Sequence, residues 1–172
     1  MKKLLAITVF VFLSPHYTNA QDRKMIALQL SYNQVELGLA HTILSEKLFA
    51  EVHAGLANQD INRNFDDFTS RLGFGWTILS NPQNQITLHA GFGLYFTNNE
   101  YYSITVPLVY AGAGYTRLLG ETGKHRILFK AGLKHGKKDY SEQYSSEIVN
   151  VSSIGTLKLT PLCVSIGYGY MF

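Results

Sequence analysis

Charge is scarce in this chain: Asp, Glu, Lys and Arg make up 16% of its 172 residues, against roughly 25% in an ordinary soluble domain. Cysteine is scarcer still. Cys163 stands alone, so no internal disulfide can hold the fold together. Four prolines against fifteen glycines, with no Gly-X-Y period and no longer repeat, exclude collagen-like and solenoid architectures. No apolar run reaches the roughly 20 residues that a membrane-spanning helix needs. Helical spacing of apolar residues never persists for three turns, which argues against a helical bundle. What is present is 46% apolar and 13% aromatic residues at a mean hydropathy near zero, too apolar for a disordered chain.

The one continuous apolar stretch, Leu4 to Leu13, follows Met1, Lys2 and Lys3 and precedes a polar break at Ser14-Pro15-His16. With Thr18-Asn19-Ala20 ahead of Gln21, this is the pattern of a cleaved secretory signal peptide over residues 1–20. Residues 21–172 are then expected to form one domain. Without Lys2 and Lys3 the basic residues number thirteen against twelve acidic ones, so the net charge falls to about +1. That leaves no footprint for a nucleic-acid partner. No cysteine at the cleavage region offers a lipid anchor. An exported chain without a disulfide must be stabilised by burial or by a bilayer.

The rest of the chain reads with period two. Ile26, Leu28, Leu30 and Tyr32 form one alternating set, and Val35, Leu37 and Leu39 a second. Further sets run from Leu48 to Leu56, Phe68 to Ile78, Ile86 to Phe96, Ile104 to Tyr115, Ile127 to Leu133 and Leu162 to Phe172. Eight strands result. In the sixth, Ile104 and Val106 keep one parity and Val109, Ala111, Ala113 and Tyr115 the other, which predicts a β-bulge near Pro107-Leu108. Short connections at 45–47, 80–85 and 119–125 alternate with connections at 58–67, 97–101 and 136–156, two of which are the longest in the chain. Short turns on one side and long loops on the other is the pattern of a transmembrane barrel.

A soluble barrel turns its apolar face inward and a membrane barrel turns it outward. Nine glycines (38, 55, 73, 75, 91, 93, 132, 167 and 169) share the polar parity with Glu36, Glu51, His53, Arg71, His89, Lys130 and Lys134. Such a face would make a poor water-exposed surface, whereas a narrow lumen needs small residues between a few paired ions. The expectation is therefore an all-β, eight-stranded antiparallel up-and-down transmembrane β-barrel with a charge cluster inside. In that arrangement Glu51 and His53 would face Arg71, with Lys130 and Lys134 across the lumen. Trp76, Tyr115, Tyr168, Tyr170 and Phe172 fall near one set of strand ends, and Tyr32, Phe68, Phe96, Tyr101 and Tyr102 near the other. These would be the aromatic belts at two membrane interfaces.

The signal peptide, the last strand from Val164 to Phe172 with its terminal aromatic, and Ile104-Thr105-Val106-Pro107-Leu108 resemble small bacterial outer-membrane β-barrel proteins of the porin-like and OmpA/OmpX-like kind. The resemblance implies residence in the outer membrane among lipid and lipopolysaccharide. It also implies that Tyr168, Tyr170 and Phe172 act as the signal read by the barrel-assembly machinery. No peptidoglycan-binding domain is expected after Phe172. A looser similarity, over Pro107-Leu108, Gly112, Gly114-Tyr115 and Leu118-Leu119-Gly120, points to barrels of envelope assemblies such as conjugation or secretion machines.

Candidate chemistry is sparse. His41, His53, His89, His125 and His135 have no metal-ligand spacing, so neither a metal nor a cofactor is expected. A lipid-acyl hydrolase would draw on His135, Ser141 and Glu142, but no Gly-x-Ser-x-Gly or similar frame holds a nucleophile there, and no enzyme is expected. The 136–153 segment reads as a polar loop. Its Lys137, Lys138, Tyr140 and Tyr144 suit contact with lipopolysaccharide phosphates or with a protein partner. A salt-bridged, plugged lumen is the expected interior, with a narrow polar pore as the alternative.

Overall fold

The computed structural model describes residues 23–45, 47–58, 67–98, 103–145 and 150–172. The proposed signal peptide, Tyr101, Tyr102, the Tyr144 side chain and most of the 58–67 connection lie outside the described residues. The described residues form nine antiparallel strands: β1 (Lys24–Ser31), β2 (Gln34–Ser45), β3 (Leu48–Ala57), β4 (Asp67–Ser80), β5 (Asn84–Asn98), β6 (Ser103–Leu119), β7 (His125–Ser145), β8 (Asn150–Lys158) and β9 (Leu162–Met171). Each of the first seven pairs with the next, and β9 joins β7 to β1, which closes the wall.

The barrel has eight staves because β8 and β9 share one. The pairing of β7 with β8, from Ser145↔Asn150 to Lys137↔Lys158, keeps the same register as its pairing with β9, from Leu133↔Leu162 to His125↔Tyr170. Pro161 interrupts the stave only locally, and its carbonyl still accepts from the Lys134 amide at 2.7 Å. β6 follows β7 only as far as Leu108↔Gly136. Beyond that point β7 and β8 rise together as a two-stranded ribbon. The polar loop expected over 136–153 is thus replaced by ordered strand on both sides of residues 146–149. Both faces of such a ribbon can be polar, so no alternation of hydropathy marks it.

Hydrogen-bonded partners traced round the wall from Lys24 through His41, Ala50, Phe74, Ala90, Ala111 and Leu133 arrive at Leu162. In the β1–β9 register Leu162 lies three residues past the Ser31↔Ser165 pair, opposite position 34. The wall is therefore staggered by ten residues in one circuit. A stagger of that size tilts the strands strongly and leaves an interior that side chains can fill.

Parity sorts the two faces as their composition dictates. Leu28, Leu37, Leu72, Phe74, Leu88, Phe92, Phe129, Val164 and Ile166 all point outward and are exposed, while Glu36, Glu51, His53, His89 and Lys134 point inward and are buried. Glycines on the inner face make room for large neighbours: a Cβ at Gly75 would lie 2.1 Å from the Phe49 ring, and one at Gly73 would lie 2.2 Å from the Tyr110 hydroxyl.

β6 departs from the sequence reading. Its register with β5 runs unbroken from Asn98↔Ser103 to Asn84↔Arg117, so there is no bulge at Pro107. Ile104, Val106 and Leu108 instead keep the inward parity and are buried. The irregularities fall elsewhere, between Thr42 and Ser45 and between Thr77 and Leu79, beside short connections. Pro107 is accommodated because its carbonyl side faces Gly136, where the ladder with β7 stops. A residue without an N–H fits at such an edge.

Candidate functional site

The lumen is built in three layers. At the end away from the chain termini, Ala57, Tyr95, Ile104, Val106, Leu108 and Leu159 form an apolar cap, with Tyr110, Tyr140 and Leu157 packed against it. Tyr95 is fully buried, and its hydroxyl donates to Asp67 Oδ2, so the one polar tip in the cap has a charged acceptor. A buried phenol needs such a partner, since an unmade hydrogen bond costs about 1 to 3 kcal/mol.

Below the cap lies the charge cluster. Glu51 Oε2 accepts from Lys130 Nζ at 3.1 Å and meets His89 Nδ1 at 3.0 Å and His53 Nε2 at 3.3 Å. Tyr110 donates to the other oxygen at 3.2 Å. Four side chains from four strands thus share one buried carboxylate. Arg71 pairs with Glu36 instead, reaching over β3 at Gly55, where a Cβ would collide with Glu36. Its guanidinium also lies 4.8 Å from the centroid of the Tyr110 ring. Lys134 donates to Gln34 Oε1 at 3.0 Å. All seven residues singled out from sequence therefore line the lumen: His53 stands opposite Arg71 and Lys130 reaches Glu51 from across the barrel, as expected, but the Arg71 guanidinium pairs with Glu36 and not with Glu51.

The third layer, nearest the termini, is a vestibule lined by Thr77, Thr87, Thr116, Gln85, Phe49 and Arg126, among others. Phe49 meets His89 edge-on with ring centroids 5.7 Å apart. Sequence reasoning singled out none of Arg126, Gln34, Tyr95 and Tyr110, although Gln34, Tyr95 and Arg126 share the parity of Glu36, His89 and Lys130 on their own strands.

Outside the lumen, Trp76, Tyr115, Tyr168, Tyr170 and Phe172 are exposed on the outer face near the short turns and the termini. His125 joins this group: its ring meets that of Tyr170 edge-on with centroids 5.2 Å apart, and its Nδ1 contacts the Tyr168 hydroxyl. At the opposite end Tyr32 is exposed, and Phe68 and Phe96 sit with centroids 5.8 Å apart. On the ribbon, Lys137 is exposed, whereas Lys138 Nζ donates to the Thr105 carbonyl at 3.0 Å and Tyr140 is half-buried against the cap. Two of the four residues expected to serve contact with partners thus also anchor the ribbon to the barrel. His135 and Ser141 both lie exposed on β7, six positions apart along one extended strand, which puts them roughly 20 Å from each other. A base cannot reach a nucleophile over that distance.

A closed, strongly staggered eight-stave barrel with an apolar outer wall and inward-turned ions is the architecture of small outer-membrane β-barrels. Solved structures agree. The N-terminal β-barrel domain of Pseudomonas aeruginosa OprF superposes with a TM-score of 0.55 at 13% identity, over 88% of this chain and 96% of that one. A major outer membrane protein from Thermus thermophilus superposes with a TM-score of 0.62 at 10% identity, over 88% of this chain and 99% of that one. At these identities the likeness establishes the fold. No family model matches the sequence, and no curated protein does.

Proposed function

We propose that the chain is an integral outer-membrane barrel with a sealed lumen, acting through the surface that its ribbon presents beyond the rim. The observation that carries this reading is the division of the wall. Large apolar side chains cover the outside from Leu28 round to Ile166, while the ions are turned inward or held at the ends. Lipid is the solvent that such a wall fits. The termini and short turns then lie on the periplasmic side and the ribbon outside. Residues 1–20 serve as the signal peptide, and Tyr168, Tyr170 and Phe172 as the sequence that the barrel-assembly machinery reads. The fold's relatives among outer-membrane proteins support the location, and the cap together with the Glu51 cluster supports the seal.

The ribbon suits contact better than a bare loop does, because Lys138 and Tyr140 hold its base while Lys137 and Ile154 remain exposed. Lipopolysaccharide or a protein partner would meet a preformed surface, with less ordering entropy to lose.

Carbonate extraction and planar-bilayer recording test the two halves of the reading. Protein retained in outer membranes after carbonate, with conductance absent or small and irregular, is the expected result. Release into the soluble fraction would overturn the location, and a steady porin-sized current would overturn the seal.

A further inference from the structure

The vestibule at the termini end is a small cavity of about 70 Å³ that opens to solvent, and the sealed-lumen reading leaves it without a role. Arg126 lies in its wall, only 6% exposed. Its donors meet neutral groups: Nε donates to the Gly123 carbonyl at 3.3 Å, Nη1 to Gln85 Oε1 at 3.1 Å, and Nη2 lies 3.1 Å from Met171 Sδ. Glu51 is the one carboxylate among the described lining residues, and it is already held by Lys130 and two histidines. Arg126 therefore adds a cation that no carboxylate among the described lining residues balances, and Arg23 also lines the cavity. Thr77 and Thr116, both buried, contribute hydroxyls to the wall.

We propose that this vestibule binds a small oxyanion of the phosphate class, with Arg126 as the principal donor, Arg23 at the rim and the hydroxyls of Thr77 and Thr116 completing the set. A guanidinium presents paired N–H groups that match the spacing of oxyanion oxygens, and charge-assisted bonds of this kind are about twice as strong as neutral ones. Arg126 is itself buried, which makes its attraction for an anion stronger than that of a surface guanidinium. Nη1 and Nη2 each carry a second hydrogen beyond the bonds to Gln85 and Met171, so the fork can hold the anion without surrendering its present contacts. The cavity has room for a phosphate group, whether free in solution or carried on a lipid headgroup. The proposal depends on the closed barrel and not on where the barrel resides, so it can fail while the membrane reading stands.

The test uses the barrel purified in a neutral maltoside detergent and titrated with inorganic phosphate at fixed ionic strength, with chloride as the control. Phosphate should bind, and Arg126→Gln should weaken binding by about tenfold or more, the loss expected for charge-assisted bonds. Thr116→Val, which keeps the packing, should weaken it severalfold. Absence of binding, or equal affinity in all three proteins, would overturn the proposal. Should Arg126→Gln fail to fold, Arg23→Gln takes its place, and an affinity unchanged in both Arg23→Gln and Thr116→Val overturns the site. In nanodiscs, phosphatidylglycerol that displaces phosphate where phosphatidylcholine does not identifies a lipid headgroup as the source. If neither displaces it, a free phosphate is the ligand. Either result supports the site.

Discussion

The two halves of the lumen are built by the same strands at the same parity, yet one is oily and the other wet. Above Glu51 the inward positions hold Tyr95, Ile104, Val106 and Leu108, and below it they hold Thr77, Thr87, Thr116 and Arg126. The upper half sets an apolar cap among paired polar groups such as Tyr95 with Asp67 and Lys134 with Gln34, whereas the lower half is lined by hydroxyls, an amide and Arg126. The Glu51 cluster is the seam between them. An interior of this kind is asymmetric along its axis: apolar side chains pack together at the ribbon end, and a polar cavity lies at the termini end.

Removing the seam should have the largest effect. Glu51→Ala would strand Lys130 near two buried histidines with no counter-charge, a change that costs about 3 to 5 kcal/mol when one partner of a buried pair is lost. Urea unfolding in lipid vesicles measures it. Glu51→Gln keeps the shape and should be milder, so equal losses in the two variants would argue against an electrostatic seam. Next in size is the wall itself. Leu88→Arg places a charge on the outer face and should cost about 2 to 4 kcal/mol near the bilayer midplane, whereas the neighbouring Thr87→Asn puts an uncharged polar group on the inner face and should cost less. Similar losses would mean that the faces are misassigned.

A third test separates the halves directly. Tyr95→Phe leaves the Asp67 carboxylate without its phenol donor inside the oily half, for a loss of about 1 to 3 kcal/mol. Thr77→Val removes a hydroxyl in the wet half, where solvent can reach the site, and should change stability by no more than about 0.5 kcal/mol. Equal effects would show that both halves are hydrated alike.

How much of this was legible in the sequence follows from the same contrast. Alternation revealed the eight staves and the faces of β1 to β5, β7 and β9, because there an apolar wall opposes a polar or glycine-rich lumen. It failed on β6, where Ile104, Val106 and Leu108 are apolar although they point inward. Hydropathy does not distinguish a residue facing lipid from one facing an oily cap. Alternation failed again on the ribbon, whose residues have no buried wall to mark one face. The ion partners were out of reach for a different reason. Which lysine meets Glu51 depends on the ten-residue stagger, a property of the closed wall and not of any one strand. Arg126 was the exception: it sat at the inward parity of β7, in step with Leu128 and Lys130, and needed only that parity to be noticed.

The smallest expected effect bears on that failure at β6. If a bulge there depended on proline, replacing it would restore a regular ladder, shift the register of residues 103–106 and turn Ile104 and Val106 away from the cap. In the structure the ladder with β5 is already regular, and the carbonyl side of Pro107 faces the point where β7 departs. Pro107→Val would add one N–H at the end of a ladder and a β-branched side chain on the outer face, both of which a strand tolerates. Stability should therefore move by no more than about 0.5 kcal/mol, as for surface substitutions generally. The amide exchange of Ile104 to Leu108 should stay as slow as in the parent chain. A loss of several kcal/mol, or fast exchange confined to 103–106, would show that the cap hangs on the proline and not on the inward packing of Val106 and Leu108.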